Sequence, residues 1–402
     1  METTGKKWTH HDRVVATLKG EKADCLPFID RLELWYTSHS RAGTLPKEFQ
    51  GLSLTEVHRA VGIGQQRFVT PYALRLRGVE VVSSFEGEMF YREVEPVIVE
   101  FPSMGDLVAT DKAGVTVTEL ITPVGRLRVQ QESLDYGIRT GTSPYLKEHV
   151  VKADADYRTV EYILERAEVV PRYEVLRQEE AAIGGVGYVV PRLDRIPFQQ
   201  LLLEYLGDTF LFYELHDNPK SVRRLMDLLD QQLVEILQRL VELSVLYVEF
   251  PDNLHGLMTN PRLFAQYCLP YYQHYAEILH GQGKKVGSHT DGDVKPLLEL
   301  LAESGLDVCE SFSPAPLTAC TFEEAWNAWQ GGPIIWGGIP SPILEERTNE
   351  AEFQDYVKHL LDIVGDQPII LGVGDMVMGH NLIERVRYIA NKVENNERTI
   401  DL

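Results

Sequence analysis

Basic residues are scarce in this chain of 402 residues: 39 Lys and Arg stand against 60 Asp and Glu, a formal charge of −21. That deficit argues against nucleic acid or an anionic membrane as a main partner, since both require a basic face. Long apolar runs are missing, with none near the roughly 20 residues of a membrane helix. The start, Met1-Glu2-Thr3-Thr4-Gly5-Lys6-Lys7, has no apolar segment of signal-peptide type. Cysteine is sparse: Cys25, Cys268, Cys309 and Cys320 are far apart and form no CxxC pair, so a reduced cytoplasmic protein without a disulfide framework is expected. There is no P-loop, no GxSxG elbow, no HExxH and no GxGxxG after a strand. Hydrophobic content of 44% and charged content of 25% exclude wholesale disorder.

The most informative segment is Lys284-Lys285-Val286-Gly287-Ser288-His289-Thr290-Asp291-Gly292. It reads as a short strand running into His289 and Asp291, which share a face because side chains at i and i+2 point the same way. A lone histidine there is ordinarily a core residue, but a carboxylate two positions on gives a pair of ligand-type groups at a strand's C-terminal end, where α/β barrels place their chemistry. Asp307-Val308-Cys309-Glu310 and Ile370-Leu371-Gly372-Val373-Gly374-Asp375 end the same way. The expectation is a compact acidic site of His289, Asp291, Glu310 and Asp375. Glu249, Asp252 and Asn253 in Glu249-Phe250-Pro251-Asp252-Asn253 should lie over the same face. Asp293 reads as a helix cap, and Cys309, on the opposite side of the strand from Glu310, as packing.

From about residue 155 onward short apolar strands alternate with helices. The strands fall at 186–190, 246–250, 285–288, 307–309, 333–336 and 368–371. Strict alternation implies parallel strands joined by right-handed crossovers. With strands at 26–30 and 79–83 the count reaches eight, and a (β/α)8 TIM barrel is expected, an open doubly wound sheet being the alternative. Residues 86–135 alternate in polarity, as at 97–101, 115–119 and 125–129, with turn residues Pro102, Gly105, Gly114 and Pro123-Val124-Gly125 between them. They predict an antiparallel β-meander insertion capping one end of the barrel. No repeat, low-complexity tract or linker divides the chain, so one domain over 1–402 is expected.

These residues resemble the uroporphyrinogen decarboxylase superfamily, which includes corrinoid-dependent methyltransferases. Arg13-Val14-Val15-Ala16-Thr17-Leu18-Lys19-Gly20-Glu21 before Leu26-Pro27-Phe28 is similar to the family's start. The segment 283–310, the Gly337-Gly338-Ile339-Pro340 turn and Ile383-Glu384-Arg385-Val386 extend the likeness, and Thr122-Pro123-Val124-Gly125 looks like the methyltransferase branch. True decarboxylases carry an arginine-rich Met-Arg-Gln-Ala-Gly-Arg motif after the first strand. Here Phe28-Ile29-Asp30-Arg31-Leu32-Glu33-Leu34-Trp35 offers one arginine, which disfavours a substrate of eight carboxylates. The methyltransferase branch holds zinc through a His-x-Cys pair and a later cysteine, and the resemblance places His289, Asp291 and Asp375 at those positions. Such an N/O set suits zinc or another hard divalent metal. The resemblance further implies methyl transfer from a small ether, amine or betaine-type donor to a corrinoid, with Glu310 or Glu249 managing the proton. No DxHxxG motif occurs, so the corrinoid would arrive on a separate corrinoid-binding protein. The alternative is a metal-free decarboxylase or lyase using the same acidic site.

Overall fold

The computed structural model describes residues 7–99, 110–365 and 367–395. Eight short parallel strands form its centre: β1 Ile29–Asp30, β2 Gly64–Val69, β3 Gly187–Pro191, β4 Tyr247–Phe250, β5 Lys285–His289, β6 Val308–Phe312, β7 Ile334–Ile339 and β8 Ile370–Val373. β2 pairs with β1 and β3, and β4 through β8 pair in sequence order. Two single-residue parallel bridges, Arg192–Glu249 and Phe28–Leu371, join the two sheets into a ring. The fold is the (β/α)8 barrel, with helices such as Pro219–Arg239, Leu269–Gly281, Glu350–Val364 and Ile383–Asn395 outside.

Strand alternation sorts the barrel's two faces. Ile29, Tyr188, Val190, Tyr247, Val308, Trp336 and Ile370 pack as one cluster, joined by Val14 and Leu18 of the helix His10–Leu18. Two residues further along their strands, Tyr247 is followed by Glu249 and Val308 by Glu310. The apolar layer therefore plugs the barrel and sets a carboxylate layer toward the C-terminal mouth. Gly287 belongs to this packing: a Cβ there would stand 2.2 Å from the Tyr247 hydroxyl. The glycine makes room for that phenol, which keeps His289 two residues on at the mouth.

Two expectations need correction. Residues 79–83 are not a barrel strand: Glu80–Phe85 lies antiparallel between Glu88–Val94 and Gly114–Thr122. The second barrel strand is Gly64–Val69, whose Gly-Gln-Gln-Arg start has no apolar run to announce it. The insertion is also wider than 86–135. Tyr72–Leu76 pairs antiparallel with Val97–Val99 and Glu168–Pro171, and a five-stranded meander extends to Tyr145–Glu148. The expected turn residues Pro102 and Gly105, and the end of the 97–101 run, lie outside the described residues. Among the described residues no helix is long and apolar enough to cross a membrane.

Candidate active site

At the C-terminal mouth a cavity of about 560 Å³ opens between the barrel and the insertion. His289, Asp375, Asn253, Arg31, Arg192 and Arg195 reach it from the strand ends, and Gln131 and the 141–146 segment roof it. Four described non-glycine residues have positive φ, and three of them, Asn253, Ser311 and Asp375, stand at this mouth. Left-handed backbone at Asn and Asp is tolerated. At Ser311 it accompanies a break in register between Glu310 and Phe312, a bulge that turns the end of β6.

The structure brings His289, Asp291, Asp375, Glu310 and Glu249 together. Glu310 lies opposite His289 across the β5–β6 ladder. The His289 Nδ1 is 2.5 Å from Glu310 Oε2, and its Nε2 is 3.7 Å from Asp291 Oδ2 and 3.9 Å from Asp375 Oδ1. The amide of Gln66 donates to the other Glu310 oxygen at 2.8 Å. Asn253 donates to Asp291 Oδ2 at 3.1 Å, and Arg31 donates to Asp375 Oδ1 at 3.1 Å and to the Asp375 carbonyl at 2.5 Å. Glu249 is fully buried; Tyr247 donates to its Oε2 at 3.1 Å, while its Oε1 has no partner.

Charge in this cluster is decided by proximity. Burial works against a cationic His289, but Glu310 and then Asp291 outweigh it and push its pKa up to about 9. Burial raises Glu310, yet His289 and Arg31 hold it below the usual carboxylate range. Burial and the neighbouring Glu310 push Glu249 well above that range, so one of the two adjacent carboxylates is neutral and one charged. Asp30, at the end of β1, is pushed up to about 8 by burial, opposed by the Val373 and Arg31 backbone donors.

Two donor sets could hold a cation: His289, Asp291 and Asp375, and Glu249, His289 and Glu310, each with its ligand atoms within 4.8 Å of one another. The first fits a divalent metal better. Two donors about 2.1 Å from one tetrahedral ion stand about 3.4 Å apart, near the separations seen at Nε2. The other histidine nitrogen is held by Glu310, the carboxylate–histidine arrangement that fixes a ligand's tautomer and orientation.

Asp252 is not brought to the cavity. Its carboxylate accepts from Tyr272 at 2.5 Å, Ser288 at 3.0 Å and the Ile196 backbone at 2.9 Å, deep in the wall. The turn at Pro251 sends it inward while Asn253, next in sequence, faces the mouth. Three residues that sequence reasoning passed over also belong to this site: Gln66, Arg192 and Arg195. Arg192 and Arg195 follow β3, and only their position just past a strand end could have marked them.

Fold and site together define a (β/α)8 barrel with an acidic, histidine-centred constellation at its C-terminal mouth, the arrangement of an enzyme. Residues 209–395 match the family model for uroporphyrinogen decarboxylase (URO-D). That segment holds β4 through β8. Among solved structures the chain is similar to a methyltransferase from Methanosarcina mazei, with 15% identity over 97% of this chain and 99% of that one and a TM-score of 0.49. It is also similar to a xyloglucanase from Bacteroides ovatus (10%, 82% and 98%, TM-score 0.34) and to a ribulose-1,5-bisphosphate carboxylase/oxygenase from Pyrococcus horikoshii OT3 (11%, 58% and 47%, TM-score 0.28). Likenesses of this size carry no argument about activity. No curated protein matches the chain.

Proposed function

We propose that this protein is a methyltransferase acting as one barrel domain over 1–402 in the cytoplasm. It moves a methyl group from a small ether, amine or betaine-type donor to the corrinoid of a separate protein. The observation that carries the reading is His289: Nδ1 tied to Glu310, Nε2 turned toward Asp291 and Asp375 at the cavity. A divalent metal such as zinc, held by those three residues, would supply Lewis acidity toward the heteroatom that bears the methyl group. The residues of the chain do the rest. Glu310 fixes the imidazole, Asn253 and Arg31 hold the two aspartates in place, and the insertion roofs the cavity against water. The corrinoid of the partner protein would supply the reduced cobalt that accepts the methyl group as the carbon–heteroatom bond breaks. The bond's electron pair leaves with the heteroatom, and an ether oxygen then takes up one proton. Glu249, protonated at neutral pH by burial and by its neighbour Glu310, is the store for that proton.

A second reading, a metal-free decarboxylase or lyase, is favoured by the three arginines at the cavity and by the His289–Glu310 ion pair, which needs no metal. One experiment separates the two. Metal content of untagged protein is measured, followed by methyl transfer from a donor panel to a reduced corrinoid protein, for wild type and His289→Ala. Methyl transfer is expected for wild type, with activity and bound metal lost together in the variant. Metal-free wild type that transfers no methyl but decarboxylates a substrate overturns the proposal.

A further inference from the structure

Arg192 is the strongest unexplained group at the mouth. Its backbone bridges to Glu249 and its amide donates to the Val69 carbonyl, which fixes the residue just past the end of β3. Its side chain lines the cavity, and its Nε is buried without a hydrogen-bond partner. Among the described residues no carboxylate forms an ion pair with it. Glu249, the nearest candidate by strand pairing, accepts from Tyr247 instead.

The other two arginines are already engaged. Arg195 donates to the Pro251 carbonyl and to Asn253 Oδ1, and stands 3.4 Å from Glu204. Arg31 is tied to Asp375. Arg31 and Arg192 each place their guanidinium carbon near the Phe68 ring, 5.0 and 5.1 Å from its centroid, so the two cations stand within about 10 Å of each other. Desolvation acts most strongly against the Arg192 charge and Glu249 favours it, with Arg195 and Arg31 against it and Glu310 for it. An acidic protein has thus placed a desolvated cation beside two others with no carboxylate in ion-pair contact among the described residues. Such an arrangement is costly unless a ligand supplies the negative charge.

We propose that Arg192 binds a carboxylate of the small-molecule substrate, with the substrate's reacting end at His289, Asp291 and Asp375. The planar guanidinium fork matches a carboxylate bidentately. Its place in the barrel sets the length of the ligand. β3 and β5 are separated by one strand, so Arg192 and His289 stem from strands about 10 Å apart, twice the interstrand spacing. The ligand therefore carries its carboxylate several atoms from the reacting group, and the cavity has room for a molecule of that size. This identifies the donor class for the methyl transfer read above and rests on that reading only for the chemistry of the reacting end.

The test is calorimetric, on the full-length purified protein without any corrinoid partner. The probes are 4-methoxybenzoate, its neutral analogue 4-methoxybenzamide, glycine betaine and inorganic phosphate. At least one carboxylate should bind, and the benzoate should bind roughly 10–100-fold more tightly than the amide, the range for a hydrogen-bonded charged group. Arg192→Gln should erase that preference while far-UV circular dichroism stays unchanged. Arg192→Lys, which keeps the charge and loses the fork, should keep only part of it, and carries the test if the glutamine variant does not fold. Absence of carboxylate binding, equal affinity for acid and amide, or an unchanged preference in both variants overturns the proposal. So does phosphate binding that excludes the carboxylates. Carboxylate preference without methyl transfer would remove the methyltransferase reading and leave this one standing; methyl transfer from neutral donors alone would do the reverse.

Discussion

The two sides of the barrel mouth differ in how they handle charge. On the side built by β4, β5, β6 and the turn after β8, charges are satisfied by one another: His289 by Glu310, Asp291 by Asn253, Asp375 by Arg31. On the side built after β3, Arg195 is held by the Pro251 carbonyl, the Asn253 amide oxygen and Glu204, while Arg192 has no ion-pair partner among the described residues. The acidic side is organised before anything binds, which suits a group that must be held in fixed geometry. The basic side is left incomplete, which suits recognition of a ligand that brings its own charge.

The largest effect should come from Glu310, which ties the acidic side together. Glu310→Gln keeps a hydrogen-bonding group beside His289 but removes the charge that holds the ring. Turnover should fall roughly 10–100-fold with bound metal largely retained, measured by single-turnover methylation and metal analysis. Equal loss of metal and activity would make Glu310 a ligand and dissolve the division between orienting and ligating carboxylates. Arg31 links the two sides, and Arg31→Met should raise zinc affinity by roughly tenfold or more, because a cation beside Asp375 repels an incoming one. Competition with a chromophoric chelator reads that change; a fall in affinity would mean Arg31 serves the metal by positioning Asp375.

The smallest effect contrasts His289 with a histidine that has no carboxylate beside it. His58 is fully buried, and desolvation followed by the nearby His10 lowers its pKa to about 3, against a backbone hydrogen bond that raises it. His10 is lowered to about 4 by burial and Arg13, with Asp24 opposing. Both are neutral in the folded state and take up protons once unfolded. Their contribution is intact above the unfolded value near 6.5, and stability is lost as pH falls from there toward about 3 to 4. His58→Gln should move the acid-unfolding midpoint to lower pH, read by circular dichroism against pH. An unchanged midpoint would assign acid unfolding to other groups.

Much of the acidic side was legible in the sequence, and little of the basic side was. His289 and Asp291 announced themselves because i and i+2 on a strand must share a face, and Glu310 and Asp375 because each ends an apolar run. Asp252 followed the same reasoning and turned inward, since the backbone at Pro251 sets direction and no periodicity encodes it. Gly64–Val69 went unread because its polar start hides a strand that the barrel, not its composition, makes extended.

The sequence by itself determined the alternation that makes a barrel and the level in each strand at which chemistry can appear, because both follow from periodicities of a few residues. Only the tertiary structure decided which strand was second, how far the insertion reaches, and that Arg31, Arg192 and Arg195 meet over one cavity. Those outcomes depend on ring closure, which brings β1 and β3 to either side of β2 and sets Arg31 and Arg192 near Phe68. Side chains far apart in the chain become neighbours there through strand pairing, and no local pattern carries that information.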